Sequence, residues 1–184
     1  MIGLKLMIAS DLHGSAFYTR QLLAAYEQEQ PEKLLLLGDL LYHGPRNDLP
    51  EEYAPKEVIA MLNPLADQLL CVRGNCEAEV DQMVLDFPVM ADYCVLLEAG
   101  KTIFVTHGHL FSEEKPPRLH AGDVLLTGHT HIPACADHGW QYLNPGSASI
   151  PKNGSWHGYM MLRDGCFTWK DLEGNTKMQW NMHR

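Results

Sequence analysis

A chain of 184 residues fits one domain and buries enough surface to fold without disulfide staples. Apolar residues make up 46% of it, which excludes a disordered chain, and no apolar run approaches the roughly 20 residues of a membrane helix. A formal charge of −9 argues against stable binding of duplex nucleic acid, yet leaves room for a phosphate substrate where bound cations supply local positive charge.

The opening MIGLKLMIAS is expected to be a first strand, Leu4–Ala9, and not a signal peptide, because Lys5 interrupts it, Asp11 follows at once and no small-residue cleavage site is present. Ser15 can cap a helix running to about Glu29, with Leu22, Leu23 and Tyr26 on one face. Leu34–Leu37 is an all-apolar strand, Pro55 can open a helix that Pro64 follows, and Leu69–Val72 is a third strand before a short helical stretch near Glu77–Leu85. Apolar strands alternating with helices indicate parallel βαβ units.

The second half changes character. Tyr93–Leu97, Thr102–Thr106 and Val124–Thr127 read as strands, and beyond Ala134 strand-like runs are joined by DHGW, RDGC and LEGN, each with a turn glycine. The pattern predicts an α/β fold of two mixed or antiparallel sheets packed face to face with helices outside, in a single domain over 1–184. Five scattered cysteines, Cys71, Cys76, Cys94, Cys135 and Cys166, form no Cys-x-x-Cys pair and suit a reducing, cytoplasmic setting.

Five of these strands end in polar clusters. LMIAS leads into Asp11-Leu12-His13, LLLL into Gly38-Asp39, and LLCVR into Gly74-Asn75-Cys76-Glu77; TIFVT leads into His107-Gly108-His109, and VLLT into Gly128-His129-Thr130-His131. Ligands of open α/β sheets bind at the carboxyl ends of strands, so these residues are expected on one rim. Each has a structural alternative taken singly: Asp11 could cap a helix, Asp39 could shape a turn, and Asn75 could sit in a left-handed turn. Together they form a donor set for borderline divalent cations, which accept imidazole nitrogen beside carboxylate and amide oxygen. A carboxylate can bridge two such ions at about 3.5–4 Å. The neighbouring glycines are expected to provide the sharp turns.

The blocks DLH, GD, GNCE, HGH and GHTH, in this order from Asp11 to His131, resemble the calcineurin-like metallophosphoesterases. The GNC form, the HGPRN loop and NPGS are similar to the small bacterial phosphodiesterases of the YfcE type. The resemblance implies a four-layer αββα sandwich of two mixed β-sheets flanked by helices. It implies one metal held by Asp11, His13 and His131, a second held by Asn75, His107 and His129, and Asp39 bridging both. His129 and His131, on alternate sides of an extended segment, would each serve a different ion. Mn²⁺ is the expected metal, with Fe²⁺, Zn²⁺ or Ni²⁺ as alternatives. The implied reaction is hydrolysis of a small phosphodiester by a hydroxide activated between the two ions. Separately, a homodimer or homotetramer built on exposed sheet edges or helices is an open expectation.

Cys76 departs from the wider family, which carries His there for the phosphate or the leaving group. A thiol is a poor substitute for imidazolium, so diesters are expected over monoesters. His109 is read either as a substrate contact with a catalytic part or as support for a metal ligand. Arg46, in YHGPRN, is read either as a bidentate phosphate contact or as a solvated loop residue. Arg73 could pair with a surface acid, Asn144 to Ser147 are expected to form a turn that supports the rim, and Cys76 could simply fill space. A phosphomonoesterase, a non-catalytic scaffold of the same fold and a metal-binding regulatory domain are the rival readings.

Overall fold

The structure, a computed structural model, describes residues 4–183. The first half runs β1 (Lys5–Ala9), α1 (Ala16–Glu29), β2 (Lys33–Leu36), α2 (Pro55–Leu62), a 3-10 segment (Asn63–Gln68), β3 (Leu69–Cys71) and α3 (Glu79–Gln82). The second half follows with β4 (Tyr93–Glu98), β5 (Lys101–Thr106), β6 (Val124–Leu126), β7 (Ala134–Asp137), β8 (Gln141–Asn144), β9 (Gly158–Arg163), β10 (Cys166–Asp171) and β11 (Thr176–Asn181).

Strands β1, β2 and β3 pair in parallel, as βαβ units require. The antiparallel β9, β10 and β11 extend this sheet on the far side of β1, giving the order β11-β10-β9-β1-β2-β3. The second sheet, β4-β5-β6-β8-β7, mixes parallel pairing of β5, β6 and β8 with antiparallel edges. The expected turn glycines close its hairpins and those of the first sheet. Asp164 and Gly165, between β9 and β10, both take positive φ (51° and 73°), the geometry that joins strands without splaying them.

Pleat alternation divides the core in two. One face of the first sheet (Met7, Ala9, Leu34, Leu36) packs on Leu22 and Ala25 of α1 and on Val58 and Leu62 of α2. The other face (Leu6, Ile8, Leu35, Leu37) meets Ile103, Val105, Val124, Leu126 and Leu143 of the second sheet, with Phe167 and Trp169 closing one end. The sandwich matches the expected fold, but its helical layers are uneven: α1 and α2 both cover the first sheet. The second sheet is met instead by the loop after β5, whose Phe111 lies edge-on to Phe104 of β5 at 5.3 Å.

Ser15 caps α1 as expected, accepting the Tyr18 N–H at 3.2 Å, and Pro55 is the first residue of α2. The helix expected over Glu77–Leu85 shrinks to the single turn of α3. Side chains compete for its backbone: the Asn63 amide donates to the Val84 carbonyl, and the Gln82 amide donates to the carbonyls of Leu85 and Phe87.

Candidate metal centre

The loops that follow β1 and β2 are zipped together by backbone bonds from Asp11 N–H to Gly38 O (3.1 Å), His13 N–H to Asp39 O (2.9 Å) and Gly14 N–H to Leu40 O (2.8 Å). The loop after β6 is tied to that after β5 by Gly128 N–H to His107 O at 2.7 Å. Pairing that continues past the strands brings the polar clusters into contact.

Two groups of donor atoms result. In the first, Nε2 of His13, Nε2 of His131 and Oδ1 of Asp11 form a triangle with sides of 3.2, 3.2 and 3.5 Å. In the second, Nε2 of His107 lies 3.1 Å from Asn75 Oδ1, 3.2 Å from His129 Nδ1 and 3.4 Å from Asp39 Oδ2. Oδ2 of Asp39 is also 3.7 Å from His13 Nε2, so this carboxylate stands between the groups. All seven residues expected as ligands are therefore brought together.

The spacing fits cations. Donors bound at about 2.1 Å to one ion, at right or tetrahedral angles, stand roughly 3.0–3.4 Å apart. Nδ1 of His13, His107 and His131 faces the carbonyl of Tyr42 (2.8 Å), Leu37 (2.6 Å) and Ile150 (2.7 Å) respectively. A carbonyl only accepts, so each Nδ1 carries a proton and each Nε2 is turned inward, where it offers a lone pair once deprotonated. Oδ1 of Asp11 is buried without a hydrogen-bond partner, a costly state that a cation would relieve.

Backbone strain accompanies this convergence. Asp11, His13, Asp39, His129 and His131 all have left-handed φ, between 47° and 66°. The segment around His129 is thus not extended: two left-handed residues, and not the alternation of a strand, send His129 and His131 to different groups. The expectation that glycines make the turns holds at Gly38 (φ 93°) and Gly108 (φ 121°) and is corrected at the other two. Gly74 and Gly128 have ordinary φ, and what they provide is room. A Cβ on Gly74 would lie 2.1 Å from Asp39 Oδ1, and one on Gly128 would lie 1.9 Å from Ser10 Oγ. Asn75, for which a left-handed turn was one reading, is not among the residues with positive φ.

Glu77 is the support that sequence reasoning left without a role. It is buried, and its carboxylate accepts the N–H groups of Asp39 (2.8 Å), Leu40 (2.7 Å) and Gly74 (2.5 Å). Burial and the Asp39 charge push its pKa up against the pull of these three donors. Asp11 is held by Ser10 Oγ and His129 N–H on Oδ2, and by Ser147 and Ser149 hydroxyls on its carbonyl. The Asn144 amide donates to the Gly128 carbonyl at 2.7 Å, so the NPGS turn does support the rim. Arg73 takes its surface alternative, pairing with Asp92 at 2.6 Å.

The remaining candidates border the centre. Cys76 donates its N–H to Asp39 Oδ1 at 2.9 Å, and its thiol lines the cleft. Burial, then the charge of Asp39, push that thiol well above its usual range, so it stays protonated at neutral pH. The His109 ring packs at 5.4 Å from His107, with Nδ1 buried and unpartnered; burial and the nearby His107 charge lower its pKa. Arg46 lines a cleft of about 400 Å³ opening on the centre, and so does Lys152, which the sequence did not single out.

Charge in the centre is shared between acids and imidazoles. Burial opposes the His107 charge, yet the hydrogen bond and charge of Asp39 and the charge of Asp11 outweigh it and raise His107 to about 9. Burial opposes the Asp11 charge, but the adjoining imidazoles of His13, His131 and His107 outweigh it and hold Asp11 well below the carboxylate range. The His107 proton occupies space a cation needs. Metal uptake by chelated protein is therefore expected to release a proton and to tighten as pH rises toward about 9. The same proton stabilises the metal-free fold fully below the ordinary imidazole pKa, and that contribution disappears as pH climbs through about 9. Calorimetric Mn²⁺ titrations in buffers of different ionisation enthalpy measure the release, and an affinity independent of pH would contradict it.

The Calcineurin-like phosphoesterase superfamily domain matches residues 4–164. Phosphodiesterase YfcE of Escherichia coli K12 is 49% identical over 160 residues, covering 86% of this chain and 87% of that protein. The solved structure of YfcE, described as a phosphoesterase from E. coli, superposes with a TM-score of 0.93 at 44% identity, over 97% of this chain and 100% of that one. Vps29 of Entamoeba histolytica, solved in complex with Zn²⁺, shares the fold at a TM-score of 0.62 and 20% identity, over 97% and 99% of the two chains.

Proposed function

This chain belongs to the calcineurin-like phosphoesterase superfamily, and on that footing we propose that it is a metal-dependent phosphodiesterase with a dinuclear centre. The observation that carries the reading is the pair of donor groups sharing Asp39 at the floor of an open cleft. Asp11, His13 and His131 would hold one ion, Asn75, His107 and His129 the other, and Asp39 both. The mixed nitrogen and oxygen donors suit Mn²⁺, and also Fe²⁺, Zn²⁺ or Ni²⁺. Bound divalent cations supply Lewis acidity toward phosphoryl oxygens and make water a nucleophile at neutral pH.

The chain's own residues orient the ester. Arg46 presents a planar guanidinium that can take two non-bridging oxygens at once. His109, neutral and beside His107, is placed to accept or donate a hydrogen bond at the reacting group. Cys76 contributes a neutral thiol and no strong acid, which disfavours basic leaving groups and supports a diester over a monoester. A small phosphodiester is the substrate class. No helix of the described residues is long and apolar enough to cross a membrane. Five free cysteines suit a cytoplasmic setting. The exposed row Tyr93, Val95 and Leu97 on edge strand β4 offers a contact surface for a homodimer or homotetramer.

The test is hydrolysis of bis(p-nitrophenyl) phosphate against p-nitrophenyl phosphate by chelated and Mn²⁺-reloaded protein. We expect the diester to be favoured by about tenfold or more, and the activity to vanish on chelation and return with Mn²⁺. Equal rates would favour a phosphomonoesterase. A lack of metal-dependent turnover would favour a non-catalytic scaffold.

A further inference from the structure

We propose that Lys152, in the cleft where Arg46 meets the reacting diester, forms a subsite for a second phosphate group on the substrate. The inference rests on the phosphodiesterase reading and narrows its substrate class to diesters that carry an additional phosphate on the organic arm.

Three observations carry it. Lys152 and Arg46, more than a hundred residues apart in the chain, line the same cleft above the donor groups. The turn that bears Lys152 is built onto a proposed metal ligand. His131 donates its ring Nδ1–H to the Ile150 carbonyl at 2.7 Å, and Lys152 donates its N–H to the His131 carbonyl at 3.1 Å. Ser155 then closes the turn, its N–H and hydroxyl both donating to the Lys152 carbonyl at 3.0 and 2.7 Å. The place of this lysine thus follows that of His131.

Third, neither cation is neutralised. Among the described residues, neither the Lys152 ammonium nor the Arg46 guanidinium has an ion-pair or hydrogen-bond partner; Lys5, Lys56, Lys115, Arg118 and Arg163 share that state, but Lys152 and Arg46 are the two that line this cleft. Acids outnumber bases 23 to 14 in this chain, yet this cleft is lined by two cations and, apart from Asp39 at its floor, no carboxylate. A diester carries one negative charge, which the metals and Arg46 suffice to meet. Lys152 adds a compact, mobile positive charge of the kind that binds phosphate as a point charge. A phosphate monoester on the organic arm supplies the charge to match it.

The experiment compares thymidine 5′-(p-nitrophenyl phosphate) with its 3′-phosphorylated analogue, a matched pair differing only in the second phosphate, on Mn²⁺-loaded protein. The native enzyme should favour the phosphorylated member by about five- to tenfold in kcat/KM, the scale of one or two partly exposed ion pairs. The preference should lie in KM, since a distant contact is made equally in ground and transition states, and should fade with added salt. Lys152→Ala should bring the ratio close to one and Lys152→Glu should invert it; as a ratio, it is insensitive to a general loss of activity. An equal ratio in native protein and Lys152→Ala overturns the inference. So does turnover of bis(p-nitrophenyl) phosphate without turnover of either nucleotide. Protein that hydrolyses none of the three removes the phosphodiesterase reading itself.

Discussion

Asp39→Asn is expected to cut metal-dependent diester hydrolysis by about 10³-fold or more while leaving the fold intact. Oδ2 of Asp39 is the atom within 3.7 Å of His13 Nε2 and 3.4 Å of His107 Nε2, the contact through which the two donor groups meet. An amide keeps one oxygen, loses the negative charge, and leaves two neighbouring cations less well compensated. The remainder of the residue's environment is preserved. Asn tolerates the left-handed φ of 56° at this position, and its own Oδ1 can still accept the Cys76 N–H. Metal analysis should find bound Mn²⁺ falling from two toward one per chain, with the unfolding midpoint within a few degrees of native. Near-native turnover in this variant would end the dinuclear reading.

Glu77→Ala should be the most damaging change outside the donor set. Its carboxylate satisfies three backbone N–H groups, on Asp39, Leu40 and Gly74, in a buried site. A buried donor left unpaired costs about 1–3 kcal/mol, so we expect a loss of roughly 3 kcal/mol or more in unfolding free energy. Activity should fall as well, although Glu77 touches no donor triangle directly. It joins the loop after β2, which carries Asp39, to the loop after β3, which carries Asn75. Glu77→Gln should lie between, because one amide oxygen accepts while its NH₂ opposes the remaining backbone donors. Urea unfolding of chelated protein measures the effect apart from metal binding. A loss under about 1 kcal/mol in Glu77→Ala would show that these donors are otherwise satisfied.

Both predictions turn on how the rim is built, which is where sequence and structure part. That five strands end in Asp, His, Asn and Gly clusters is written in the chain, because apolar runs and their polar stops are local patterns. The cap at Ser15, the proline at the start of α2 and the glycine turns of the hairpins are local too, and all lie where their chemistry puts them. The helix expected over Glu77–Leu85 failed largely for a non-local reason: Asn63 and the backbone of residues 39 and 40 take hydrogen bonds from or to its groups, beside the local bonds of Gln82.

The sequence by itself determined the donor types, their order and their position at strand ends, since those follow from residue chemistry and periodicity over a few positions. The tertiary structure alone decided which donors share a triangle, that five of them would be strained into left-handed backbone, that Glu77 would brace two loops, and that Lys152 would line the same cleft as Arg46. The physical reason is that these relations are distances between separate loops. They are set by strand order, by register and by hydrogen bonds that continue past the strands, such as His13 N–H to Asp39 O and Gly128 N–H to His107 O, and these exist only once strands separated in the chain have paired side by side.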